Sequence, residues 1–139
     1  MKRSILLAVL AVTTTMALAA CAAAAPSAND VGALVGRTWR LTESTVPALA
    51  GGDIDPARYT IEFQDGTFDA QVDCNRVSGT FASSNEGLMS ITPGPSTMAA
   101  CPEGSLGNDY VAALQATTSQ ALTDGRLVLT TSDGTLTFE

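Results

Sequence analysis

Histidine is absent from the chain, and its one lysine, Lys2, stands next to the N-terminus. The first absence excludes Ser-His-Asp and Cys-His catalysis and histidine-ligated metal sites. The second excludes Schiff-base and P-loop lysine chemistry once residues 1–20 are removed. Positive charge is scarce throughout. After residue 20, five arginines (Arg37, Arg40, Arg58, Arg76, Arg126) face fourteen acidic residues, a net charge of −9. Such a chain has no cationic footprint for nucleic acid, which needs clustered Lys and Arg to displace counterions. It is also repelled by anionic lipid headgroups. The plain reading of the acidity is solubility. The carboxylates follow no pattern, which gives little support to paired-carboxylate hydrolysis. Asp53-Ile54-Asp55 lacks the further oxygen ligands and closing glutamate of a calcium loop. The chain is therefore read as non-enzymatic, with no catalytic residue, no metal and no cofactor, and as a monomer.

Long apolar runs are missing too, apart from the N-terminus. Lys2 and Arg3 precede a mostly apolar stretch, Ile5 to Leu18, and small residues follow. This is the pattern of an export signal, too short and wrongly flanked for a transmembrane helix. Leu18-Ala19-Ala20-Cys21 matches the bacterial lipobox. The match implies a signal peptide over 1–20, a diacylglyceryl group on the Cys21 thiol and a further acyl chain, such as palmitate, on the new amino terminus. Two or more acyl chains anchor stably where one is marginal. The alternative is a secretory signal cut within Ala19 to Ala25. Residues 21–33 then form the lipidated cysteine and a flexible tether of small residues.

The remainder reads as one domain, 34–139. Alternation around Trp39 and Leu41 gives a first strand. Trp39, the one tryptophan, is expected in the core. Val46 to Arg58 is a loop by composition. Tyr59, Ile61 and Phe63, then Phe68, Ala70 and Val72, flank Asp65-Gly66 as a hairpin. Asn75 and Gly79 suit a bend or bulge before the next strand. Leu88 to Thr92 is another strand, stopped by Pro93-Gly94-Pro95. A helix is expected to start within Ser105 to Asp109, capped by Asn108 or Asp109, and to run to Ala121–Asp124. Arg126 to Thr130 and Leu136 to Phe138 form a closing hairpin. The sum is an α+β fold, a strongly curved, mostly antiparallel, barrel-like sheet of about seven strands packed around one helix.

With Cys21 assigned to lipid, Cys74 and Cys101 remain. An exported chain most simply pairs two cysteines, the alternatives being free thiols or a redox pair. A catalytic redox pair usually lies close in sequence, as in Cys-x-x-Cys.

Several motifs together resemble the META domain, the family of HslJ-type heat-shock lipoproteins, over residues 34–139. They are Leu34-x-Gly36-x-x-Trp39-x-Leu41, Phe63-x-x-Gly66, Cys74-Asn75-x-x-x-Gly79-x-Phe81, Thr97-Met98-Ala99-x-Cys101 and Leu127-x-Leu129-x-x-x-x-Gly134-x-Leu136-x-Phe138. The family-motif residues singled out are Trp39, Asn75, Gly79, Thr97 and Met98. The resemblance implies a curved antiparallel sheet with one helix, in bacterial envelope lipoproteins or secreted proteins associated with stress responses. It supplies no catalytic residues. Asp73 departs from it, since a small residue is expected before Cys74. The resulting expectation is a lipoprotein of the cell envelope, held to the membrane through Cys21. Its domain would serve protein interaction or stress protection, with an unidentified envelope protein as partner. The alternative is a small apolar ligand within the curled sheet.

Overall fold

The computed structural model describes residues 29–139. The signal segment, Cys21 and most of the tether lie outside the described residues. A short 3-10 turn at Val31–Ala33 leads into eight strands and one helix. The strands are β1 (Thr38–Ser44), β2 (Tyr59–Gln64), β3 (Thr67–Val72), β4 (Asn75–Ser83), β5 (Met89–Ser96), β6 (Thr117–Thr123), β7 (Arg126–Thr131) and β8 (Thr135–Phe138). The helix α1 (Gly107–Gln115) lies between β5 and β6. All strands belong to one sheet in the order β5-β4-β3-β2-β1-β8-β7-β6, and every neighbouring pair is antiparallel. The sheet curls until its two edge strands meet at a corner. There Leu88 bridges to Ser119, and Gln120 N–H donates to the Gly87 carbonyl at 2.8 Å.

The curled, mostly antiparallel sheet with a single helix agrees with the expectation. The strand count does not, because the helix is shorter than its sequence implied. It ends at Gln115, and Thr117–Thr123 is a strand rather than two further helical turns. Thr117, Thr118 and Ser119 are poor helix formers. Asp124 and Gly125, at φ 53° and 80°, make a tight two-residue connection with both central residues at positive φ. Pairing with β7 then rewards the extended state of this segment. The helix start also differs from expectation. Its N-cap is Leu106, which contributes no side-chain cap, while the Ser105 hydroxyl accepts from Gly107 N–H at 3.3 Å. Pro93-Gly94-Pro95 continues β5 to Ser96 rather than stopping it. Prolines are tolerated there because β5 is an edge strand.

Alternation decides which side chains fill the curl. Tyr59, Ile61 and Phe63 of β2, Phe68 of β3, Leu127 and Leu129 of β7, and Leu136 and Phe138 of β8 are all essentially inaccessible. Trp39 is fully buried, donates Nε1–H to the Leu34 carbonyl at 3.0 Å, and carries the Arg37 guanidinium 3.9 Å from its ring centroid. From α1, Tyr110, Ala113 and Leu114 close one end of the interior. Each large apolar side chain buried this way contributes about 1.5–3 kcal/mol. Packing of this kind argues against an apolar ligand held within the sheet.

Two tyrosines meet edge-to-face in this core, with centroids 5.6 Å apart. Tyr59 Oη accepts from Leu106 N–H at 3.1 Å. Tyr110 Oη is buried without a hydrogen-bond partner, and burial pushes its phenol well above the ordinary range. The two hydroxyls should therefore respond differently to removal. Tyr59→Phe is expected to cost about 1 kcal/mol, whereas Tyr110→Phe should be neutral or stabilising, because it deletes an unsatisfied polar group. Urea unfolding of both variants checks the contrast.

The barrel has two dissimilar ends. At one, Asn29 accepts through its carbonyl from Gln120 Nε2–H at 3.2 Å, beside the Ser84–Leu88 turn. At the other lie Asp73 to Asn75, Thr97 to Cys101 and the start of α1. The nine residues of β4 run between these ends, a distance of about 26 Å at ~3.3 Å per residue.

Candidate functional site

The second end is built by joining two loops. Cys74 and Cys101 form a disulfide with their Cα atoms 5.5 Å apart. The Asn75 side chain then fastens the Thr97–Cys101 segment as a neighbouring strand would. Its Oδ1 accepts from Ala99 N–H at 2.7 Å and from the Thr97 hydroxyl at 2.9 Å. Its Nδ2–H donates to the Ala99 carbonyl at 3.0 Å and reaches Cys101 Sγ at 3.3 Å. Thr97 completes the ring. Its Oγ1 accepts from Arg76 N–H at 2.9 Å, and its own N–H donates to the Arg76 carbonyl at 3.0 Å. Both hydrogen-bonding ends of the amide are thus engaged by the facing loop.

Met98 sits in the middle of this fastened loop and is 91% exposed. With Asn75, Thr97, Asn108 and Val111 it lines a cleft of about 330 Å³ that carries no charged side chain. The structure therefore brings Cys74, Asn75, Thr97, Met98 and Cys101 together. Trp39 and Gly79 lie elsewhere. Trp39 packs in the core, and Gly79 sits in β4 opposite Pro93 of β5.

Asp73, which the sequence marked only as a departure from the family pattern, has a structural role. It holds a left-handed backbone at φ 64°, a conformation that Asp and Asn tolerate better than most residues. Its side chain is 2% exposed and forms an ion pair with Arg58. Arg58 Nε–H donates to Oδ1 at 2.6 Å, and Nη2–H donates to the same oxygen. The backbone adds Asp73 N–H to the Arg58 carbonyl at 2.8 Å. Hydrogen bonding from the Ser105 hydroxyl, and then from Arg58, holds the carboxyl below the usual range against the opposing effect of burial. Asp73 so links the start of β2, the disulfide and the approach to α1. A charged residue in a charge-poor domain, directly before a cysteine, was the signal available for it.

The sign of this shift fixes a pH dependence. The pKa is lower in the folded protein, so the contribution is complete above the unfolded value of about 3.9. It is lost as pH falls through the lowered folded value. Asp73→Asn keeps a residue suited to positive φ but removes the titration. It should lower stability at neutral pH and flatten the fall in stability below about pH 4. Chemical unfolding of both proteins between neutral and strongly acidic pH measures this.

The arrangement does not resemble a hydrolytic pair. Asp73 shares an open cleft with Asp53 and Glu103, but its charge is committed to Arg58, and a general acid needs a raised pKa. Among the described residues, no group of three or more Cys, Asp or Glu side chains could hold a metal ion. No helix there is long and apolar enough to cross a membrane.

Comparison with known proteins points in one direction. The META domain model matches residues 32–139. A protein from Burkholderia xenovorans, solved by NMR, is similar over 84% of this chain and 92% of its own, at 24% identity and a TM-score of 0.58. A DUF4847 family protein from Bacteroides vulgatus is similar over 76% of this chain and 92% of its own, at 17% identity and a TM-score of 0.53. At these identities the likeness concerns the fold. No functionally curated protein matches the chain.

Proposed function

The chain belongs to the META domain family, and from that premise we propose that it is a membrane-anchored envelope lipoprotein whose domain binds another protein without catalysis. The observation that carries this reading is Met98, a flexible apolar side chain held almost wholly in solvent by a loop that is itself tightly fastened. Exposed methionines suit adaptable binding surfaces, and this one borders a cleft of about 330 Å³. The cleft beside it is uncharged, so the contact would be made by apolar and neutral polar groups.

The anchor fits this geometry. Seven residues stand between Cys21 and Asn29, eight Cα steps that can span at most about 28 Å. Asn29 joins the barrel at the end remote from Met98. Anchored through Cys21, the domain would turn its fastened loop away from the membrane. A stress-protective role is compatible with such binding and follows from the family association alone.

Two measurements test the reading. Mass spectrometry of the N-terminal peptide from native membranes should find acylated Cys21, and Cys21→Ser should release the protein from the membrane fraction. A photo-crosslinking residue at position 98 should capture one reproducible envelope protein, while the same residue at Thr80, on the outer face of β4, captures none. Equal capture from both positions, or none from position 98, overturns the proposed binding surface.

A further inference from the structure

We propose that Met98 is a reversible oxidation site through which peroxides modify the exposed end of this domain. Three observations carry it. The Met98 side chain is 91% exposed. The loop bearing it is held in place by Asn75 and Thr97 through backbone and side-chain bonds that do not involve the thioether. The other sulfur atoms among the described residues are protected: Cys74 and Cys101 are already joined, and Met89 is 4% exposed within the core. Met98 therefore presents the one accessible, oxidisable sulfur of the described residues.

The chemistry balances without help from the protein. A lone pair on Met98 Sδ attacks one oxygen of a peroxide and the O–O bond breaks. That oxygen stays on sulfur as the sulfoxide, while the other leaves as hydroxide or alkoxide and takes up a proton. Sulfur loses two electrons and the peroxide gains them. A methionine sulfoxide reductase, drawing on a thiol reductant, reverses the step. The product is polar and accepts hydrogen bonds strongly, so the rim of the uncharged cleft changes character while the fold is untouched. The site stands whether or not a partner docks there. If the docking proposed above holds, oxidation would weaken it.

The test uses the native mature protein, dilute hydrogen peroxide and peptide mass spectrometry. Oxygen uptake at Met98 should be at least about tenfold faster than at Met89, and within about threefold of its own rate in urea-unfolded protein. Full conversion at Met98 should leave the melting temperature unchanged, and a sulfoxide reductase should restore the thioether. Met98→Leu should abolish the fast uptake and keep the fold. Oxidation of Met98 no faster than Met89, strong slowing relative to the unfolded chain, or unfolding on conversion would overturn the assignment. Failure of position 98 to capture a partner leaves these rates unaffected, so the two proposals fail separately.

Discussion

Replacing Cys74 and Cys101 together with alanine should lower the melting temperature by roughly 15–25 °C, following an expected loss of about 3.5 kcal/mol. The bridge joins residues separated by 27 positions, and the closed loop contains β4, its turn and β5. Cross-linking it removes much of the freedom of the unfolded chain, and the chain-entropy relation puts the effect at that magnitude. Against a typical total stability of about 5–15 kcal/mol this is a large share. The Asn75 ring remains in the variant and holds the same loop non-covalently. It acts on the folded state alone, so it offsets little of the entropy gained by the unfolded chain. Thermal unfolding followed by circular dichroism decides the matter. A fall of less than about 5 °C would mean that hydrogen bonding, not the bridge, keeps the two loops together.

Gly79→Ala should be nearly as damaging for an unrelated reason, with an expected loss of about 3 kcal/mol or failure to fold cooperatively. A Cβ at position 79 would overlap the Thr92 carbonyl oxygen and stand 2.7 Å from Phe68 Cε1 and 3.0 Å from Gly94 N. Two of these three atoms belong to the backbone, and they cannot yield without breaking the β4–β5 ladder, where Gly79 opposes Pro93 and Thr80 opposes Thr92. The register shift between Val77 and Gly79 brings the chains this close. Ser78→Ala, one residue away, should change stability by no more than about 0.5 kcal/mol. Equal effects at the two positions would show that the ladder absorbs the added carbon.

The motif residues thus divide by physical role. Cys74, Cys101, Asn75 and Thr97 fasten the loop, Gly79 permits the close approach of β4 and β5, and Trp39 fills the core. Met98 takes no part in that structure, and for that reason it is the residue on which both functional proposals rest.

Much of this was legible in the sequence because it depends on local chemistry. Alternation placed Tyr59, Ile61 and Phe63 on one face, and Phe68, Ala70 and Val72 on another strand's inner face, since residues two apart on a strand share a face. Asp65-Gly66 marked its turn because both residues tolerate positive φ. The same dipeptide recurs at 124–125 and joins β6 to β7, but by sequence it reads only as the end of the helix. The helical spacing of Tyr110 and Leu114 says nothing about where a helix ends. Only the free edge of β7 determines that Thr117–Thr123 is extended.

The sequence by itself determined the absence of histidine chemistry, the acidic and lysine-free character of the domain and its β-rich plan, and offered the pairing of Cys74 with Cys101 as the simplest of three alternatives. Each of these follows from residue type and short-range spacing. Tertiary structure alone decided that Asp73 is buried against Arg58, that the Asn75 amide serves a loop more than twenty residues away, and that Met98 is left in water. Those outcomes depend on which distant segments the curling sheet brings together, and the exposure of a side chain is a property of its neighbours in space rather than of its neighbours in sequence.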